Sequence, residues 1–153
     1  MNTLSSSLLP KDVHLQLRAS NCADALEEVL SPLRSDSRVQ DWEKLRSSLL
    51  GSKRIEAATA KRGTMILHHG RTESVSGLVL ALGRSDTGLP NPGSVSKIHL
   101  LVIAAIPETL NNEYLRVLGA VARICGDPDT FEQLVAAPDV SRVIRLLEQG
   151  CLQ

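Results

Sequence analysis

Residues 64–71 of the chain read Thr64-Met65-Ile66-Leu67-His68-His69-Gly70-Arg71. A short apolar stretch runs directly into two histidines, a glycine and an arginine. This pattern predicts a buried strand over Thr64–Leu67 that ends at the histidines. Because neighbouring residues of a strand point to opposite faces, we expect only one histidine to line a cleft with Arg71.

A histidine at the end of a strand is suited to phosphoryl transfer, although the residues alone leave other interpretations open. A neutral imidazole nitrogen carries a lone pair near pH 7 and can attack phosphorus. The basic residues Lys53, Arg54 and Arg71 can stabilise the negative charge of a transferred phosphoryl group. Gly70 leaves room for another molecule near the backbone. The same residues also suit a polar rim or a structural histidine. Metal binding is less favoured, because no third ligand is near in sequence.

The rest of the chain shows helix-like periodicity, then a cluster of strands, then helix-like periodicity again. Strands are predicted at Val13–Arg18, Ser76–Gly83 and Lys97–Ile106, the last in the centre of the sheet because it is apolar throughout. Residues 51–63 are predicted to be a loop and residues 86–93 a turn. Helices are predicted at Ala23–Leu33, 39–50, Leu110–Ile124, Pro128–Ala136 and Asp139–Gln149. This order predicts an α/β fold, a mixed β-sheet flanked by helices on both faces.

Composition narrows the class of protein. The chain has 153 residues, which predicts a single domain over 1–153, with residues 1–8 flexible. Formal charge is zero and aromatic residues make up 2%, so nucleic acid is not an expected partner. The longest apolar run, Leu100–Ile106, is far shorter than the roughly 20 residues of a membrane span. Three widely spaced cysteines are typical of reduced thiols in a soluble, cytoplasmic protein.

The segment Thr59–Arg71 resembles the phosphorylation-site pattern of the phosphotransferase-system IIA type-2 family, the fructose, mannitol and nitrogen-regulatory IIA proteins. Thr59 precedes His69 by ten residues, as the family's threonine precedes its phosphorylated histidine. The following segments have the family's order and spacing, including a long apolar strand that ends at Pro107. The resemblance covers nearly the whole chain and implies the family's three-layer α/β sandwich.

The resemblance implies a role for several residues. His69 is the phosphoacceptor, and Tyr114 stands at the position of the family's second active-site histidine. The family's basic active-site residue falls at Lys53, or at Arg54 with a one-residue gap. A tyrosine hydroxyl can donate a hydrogen bond but supplies no positive charge. The helix that carries Tyr114 is expected to direct its N-terminal end toward His69, where free N–H groups favour an anion.

The chain also departs from the family pattern. His68 replaces the usual proline, and Ala60, Arg62 and Thr64 replace glycines. Two functions therefore follow from the resemblance. One is a phosphohistidine carrier that accepts phosphate on His69 from an HPr-like donor and passes it to a IIB-like acceptor or uses it as a regulatory signal. The other is a degenerate IIA-fold binding module that docks on a transporter, kinase or transcription factor without phosphoryl transfer. Neither implies a metal or organic cofactor or direct membrane insertion.

Overall fold

The computed structural model describes residues 8–52, 54–59, 63–94, 96–109 and 111–151. The strands of this part of the chain are β1 (Leu8–His14), β2 (Arg54–Thr59), β3 (Gly63–Thr72), β4 (Val79–Leu89) and β5 (Ile98–Pro107). The helices are α1 (Cys22–Leu30), α2 (Trp42–Leu50), α3 (Asn111–Gly126), α4 (Pro128–Ala136) and α5 (Val140–Cys151). A short 3-10 helix, Ser31–Ser35, follows α1, with Pro32 in its first turn.

The strands form one mixed sheet in the order β1-β4-β5-β3-β2. β1 runs parallel to β4, and β3 runs parallel to β5. β2 is antiparallel to β3, and β4 is antiparallel to β5. The predicted mixed sheet is confirmed. β5 lies in its centre, as predicted from an apolar sequence that can be buried on both faces.

Alternation along the strands divides the core into two layers. Odd-numbered residues of β3, such as Met65 and Leu67, pack with the apolar faces of α3, α4 and α5. Ile66 packs on the other side, with the apolar faces of α1 and α2. The sheet therefore has the C-terminal helices on one face and the N-terminal helices on the other, which confirms the predicted layers.

Local capping residues set several helix starts. The Asn21 side chain accepts a hydrogen bond from the backbone N–H of Asp24 at 2.9 Å, and Asp127 accepts one from Thr130 at 3.0 Å. Asp139 accepts one from the N–H of Arg142 at 2.8 Å. These bonds satisfy N–H groups that have no partner within the helix. Asn and Asp are among the residue types favoured at N-cap positions.

Several predictions about strands were wrong. The first strand spans Leu8–His14 rather than Val13–Arg18, and β4 continues to Leu89, into the predicted turn at 86–93. Leu8, predicted to be flexible, is buried at the start of β1, and residues 1–7 lie outside the described residues.

β3 does not end at Leu67, because it stays paired with β5 as far as Thr72, which lies opposite Pro107. The segment 51–63 is not a continuous loop, because β2 pairs with β3 from Arg54 to Thr59. β2 forms an edge of the sheet. An edge strand covers less apolar surface than a central one, so its sequence lacks the apolar periodicity that identifies β5.

Candidate functional site

His69 lies near the C-terminal end of β3 on the sheet face that the C-terminal helices cover. Its Cα lies opposite that of Ala104 in β5. His69 shares a face with Leu67, which belongs to the core layer of α3, α4 and α5. The residue is half-buried. His69 thus combines partial access to solvent with a fixed position on a paired strand.

Burial lowers the pKa of the His69 ring below its ordinary value of 6.5. At pH 7 the imidazole is therefore predominantly neutral. A neutral ring carries a lone pair on one nitrogen, which is the chemical requirement for a nucleophile.

His68 lies on the opposite face and is only 9% exposed. Burial and the nearby Arg54 charge lower its pKa, while a hydrogen bond with the Leu49 backbone raises it. Its Nδ1 atom is buried, with no hydrogen-bond partner among the described residues. These contacts attach β3 to the C-terminal end of α2. They give His68 a structural environment rather than one open to a reactant.

Gly70 shares the face of His68. A Cβ atom placed on Gly70 would lie 3.5 Å from the Ser48 Oγ atom in α2, which is an ordinary van der Waals contact. The glycine therefore faces a helix of the same chain. The sequence-based expectation that Gly70 leaves room for another molecule near the backbone stays a prediction.

Arg71 returns to the face of His69 and is exposed. Its Nη2 atom donates a hydrogen bond to the backbone carbonyl of Glu108 at 3.0 Å. Glu108 directly follows β5 and precedes α3. Arg71 thus contacts the segment that leads into α3.

Arg54 does not join His69. Its Cα lies opposite that of His68 in the antiparallel pair, so both side chains lie on the face of α1 and α2. The Arg54 Nη2 atom donates to the Asn91 Oδ1 atom at 3.3 Å and lies 3.1 Å from a carboxylate oxygen of Glu56. Lys53, the other candidate for the family's basic residue, lies outside the described residues.

Two further predicted site residues are described by their backbone alone. Thr59 is the last residue of β2, opposite Gly63. Tyr114 lies in the first turn of α3. The side chains of Thr59 and Tyr114 lie outside the described part of the structure. The backbone of α3 packs against β2 and β3, so the helix of Tyr114 and the strand of His69 are adjacent elements.

Sequence reasoning missed the contact between Arg71 and Glu108. These residues are 37 positions apart, and they meet because β3 and β5 are adjacent parallel strands that end at the same edge of the sheet. No local pattern signals this contact, because the acceptor is a backbone carbonyl that every residue carries.

The described residues also show what the site lacks. Within them, no three His, Cys, Asp or Glu side chains are grouped closely enough to hold a metal ion. None of the described helices combines the length and apolarity needed to cross a bilayer. Cys22 is a free, half-buried thiol whose pKa is raised by burial.

Comparison with solved structures finds the same fold in several proteins. The nitrogen regulatory protein IIA-Ntr from Neisseria meningitidis is similar with a TM-score of 0.76 and 20% identity, over 94% of this chain and 98% of that one. The IIA mannitol protein from Escherichia coli has a TM-score of 0.65 and 17% identity, over 90% and 96%.

A structure of the complex of enzyme IIA-mannitol with phosphorylated enzyme IIB-mannitol, also from Escherichia coli, has a TM-score of 0.64 and 14% identity, over 91% of this chain and 95% of that one. At these identities the similarity establishes the fold. No curated protein sequence matches the chain.

The pairwise identities are too low to assign the chain to a family, but a match to a family model does so. The model for the EIIA 2 component of the phosphoenolpyruvate-dependent sugar phosphotransferase system matches residues 6–150, which include every strand and nearly all of the last helix. The chain therefore belongs to the phosphotransferase-system EIIA type-2 family.

Proposed function

We propose that this chain is a phosphohistidine carrier with His69 as the phosphoacceptor. The observation that carries the proposal is the position of His69, half-buried near the C-terminal end of β3 and on the face covered by α3. Burial keeps its ring neutral at pH 7, so a nitrogen lone pair is available to attack phosphorus. Membership of the EIIA type-2 family supports the same role.

The proposed step is an in-line transfer between two imidazoles. A ring nitrogen of His69 attacks the phosphorus of a phosphohistidine on an HPr-like donor protein. A new P–N bond forms while the donor's P–N bond breaks, and the donor imidazole leaves with the electron pair of that bond. The step uses no metal or organic cofactor of this chain, because positioning and charge stabilisation supply most of the catalysis in phosphoryl transfer.

The phosphate then passes to a IIB-like acceptor or remains on the chain as a regulatory signal. A IIB protein is the bound partner in the similar mannitol IIA complex. The nitrogen regulatory protein has the more similar fold of the two, with a TM-score of 0.76 against 0.64, and it supports the regulatory use. Both uses place this chain in the cytoplasm, where the donor and the acceptor domain meet.

The family resemblance adds Tyr114 and Lys53 to the proposed site. The Tyr114 hydroxyl donates a hydrogen bond to the phosphoryl group, and the first turn of α3 adds free N–H groups. Lys53 contributes positive charge from the segment before β2. Thr59 is not part of this proposed site, because it lies opposite Gly63, six residues before His69 along β3, and a strand rises about 3.3 Å per residue.

A second candidate function is a binding module that has lost phosphoryl transfer. The observation in its favour is the position of Arg54, whose side chain lies on the face away from His69 and is bound to Asn91. In this function the domain docks on a regulated target while His69 remains unmodified.

One experiment separates the two functions. The full chain is incubated with phosphoenolpyruvate, the first enzyme of the phosphotransferase system and an HPr-like donor. The carrier forms a phosphate adduct that is stable in base and lost in acid, and the His69→Gln variant forms none. An unmodified native chain, beside a donor that phosphorylates a known IIA protein in the same assay, excludes the carrier and supports the binding module.

A further inference from the structure

The segment between β5 and α3 determines where the first turn of α3 lies relative to His69. Pairing of β3 with β5 ends at Thr72 and Pro107. The next two residues, Glu108 and Thr109, are exposed. α3 begins at Asn111. A small displacement of this segment would therefore move the whole N-terminal end of α3.

Arg71 provides a contact from β3 to this segment. Its Nη2 atom donates to the Glu108 carbonyl at 3.0 Å, one residue beyond the last strand pair. A hydrogen bond from a guanidinium is stronger than one between neutral groups.

The strand end that carries Arg71 is itself firmly held. Thr72 is 4% exposed, and its Oγ1 atom accepts a hydrogen bond from the Ser74 backbone N–H at 3.1 Å. The Ser74 carbonyl in turn accepts one from the N–H of Gln40 at 2.7 Å, just before α2. A fixed strand end makes the Arg71 guanidinium an effective anchor for the segment that carries the Glu108 carbonyl.

Resting on the proposed function, we propose that Arg71 is a positioning residue, which holds the β5–α3 segment through the Glu108 carbonyl and so places the first turn of α3, with Tyr114, beside His69. This differs from the direct phosphate contact that the sequence suggests for an arginine two residues after the phosphoacceptor.

The test compares the Arg71→Met and Glu108→Gln variants with an Arg34→Met control, which removes an equal charge from an exposed residue of the 3-10 helix. Amide hydrogen exchange over residues 108–116 is measured in the unphosphorylated full-length proteins. Arg71→Met should accelerate exchange about tenfold, the effect of losing one charged hydrogen bond. Glu108→Gln should leave exchange unchanged, because its backbone carbonyl remains. Unchanged exchange in Arg71→Met would overturn the proposal.

Two further measurements separate positioning from direct contact. The His69 ring is titrated by nuclear magnetic resonance, and its pKa should be the same in Arg71→Met and Arg34→Met. A raised His69 pKa in Arg71→Met would show that the guanidinium acts on the ring directly and would overturn the proposal.

In the transfer assay, Arg71→Met should lower kcat about tenfold with little change in KM for the donor protein. An increase in KM alone would instead make Arg71 a docking residue and overturn the proposal. If the native chain accepts no phosphate, the proposed carrier function fails, whereas the exchange and titration results still decide whether Arg71 holds the segment.

Discussion

His68 and His69 are neighbours in β3, and their side chains lie on opposite faces of the sheet. His68 is bound to the Leu49 backbone at the end of α2. His69 shares the face of Leu67, which packs with the C-terminal helices. Two identical side chains therefore have different environments, and we expect them to respond differently to substitution.

Replacing His69 by Gln should abolish phosphorylation, because the amide has no nucleophilic ring nitrogen. Replacing His68 by Gln should leave phosphorylation intact, because His68 faces away from the proposed site. His68→Leu should also be phosphorylated, but it should lose about 1 kcal/mol of unfolding free energy with the hydrogen bond to Leu49. Transfer from a labelled donor and urea denaturation measure the two effects. Phosphorylation of the His69→Gln protein at wild-type rate would assign the modification to another residue.

Stability should fall when the pH is lowered below about 6.5. The pKa values of His14, His68 and His69 are all lowered from 6.5, chiefly by burial. Below pH 6.5 the unfolded chain binds protons that the folded chain does not, so protonation favours unfolding. The full free energy of unfolding is therefore present above pH 6.5. Part of it is lost as the pH falls from 6.5 toward the lower pKa values of the folded chain. Urea denaturation at a series of pH values measures it.

A double variant provides the control for this pH dependence. In the folded protein, the His14 Nε2 and His68 Nδ1 atoms are buried without a hydrogen-bond partner among the described residues. His14→Gln combined with His68→Gln should therefore flatten the pH dependence below pH 6.5. An equally steep dependence in the double variant would assign it to other groups.

A buried cluster of charges should make a large contribution to stability. The side chains of Asp12 and Asp36 are 1% and 3% exposed, and they are paired with Arg38 and Lys11. Arg38→Met should reduce the free energy of unfolding by about 3 kcal/mol, because it leaves buried carboxylates without their main cation. Arg34→Met, at an exposed position, is the matched control and should have little effect.

Acid should weaken the same cluster. Hydrogen bonds from Arg38 hold the pKa of Asp36 well below its usual value of 3.8. Burial raises this pKa, and a hydrogen bond from Lys11 lowers it further. The stabilisation is present above pH 3.8 and is lost as the pH falls below that value, where the unfolded chain binds the extra proton. The Arg38→Met protein should lose less stability over this acid range. An identical acid response in both proteins would contradict the assignment to Asp36.

Gly63 should not tolerate a side chain. Its φ angle is +143°, and an added Cβ would lie 2.6 Å from the Lys97 carbonyl oxygen and 2.7 Å from a ring carbon of His99. Gly63→Ala should therefore cost about 2 kcal/mol of unfolding free energy. Gly77→Ala is the control, because an added Cβ there would meet no atom within 4 Å. Equal thermal stability of the two variants would show that the strand ends move to accept the methyl group.

Much of the architecture was predictable from residues close together in sequence. The Asp127 and Asp139 caps act on backbone groups three residues away, so the sequence places the starts of α4 and α5 within one residue. The continuous apolar stretch after Lys97 identified the central strand. Alternation along β3 predicted that only one of the two histidines lies on the side of the cleft, and the family resemblance selected His69.

The edge of the sheet beside β3 was harder to predict. The sequence predicts a loop where β2 lies, because the residues of this strand lack a continuous apolar pattern. Without this strand in the prediction, the face on which the Arg54 side chain lies could not be predicted either. Once β2 pairs antiparallel to β3 with Arg54 opposite His68, the guanidinium must lie on the face of His68.

The sequence by itself determined that helices cover both faces of a mixed sheet, where α4 and α5 begin, and that the two neighbouring histidines lie on opposite faces, because these features depend on periodicity and on bonds between near neighbours. Only the tertiary structure decided that β2 joins the sheet, that Arg54 faces the N-terminal helices and that Arg71 binds the Glu108 carbonyl. These features depend on which strands become neighbours. Strand order is set by burying apolar faces across the whole chain, and local sequence patterns do not encode it.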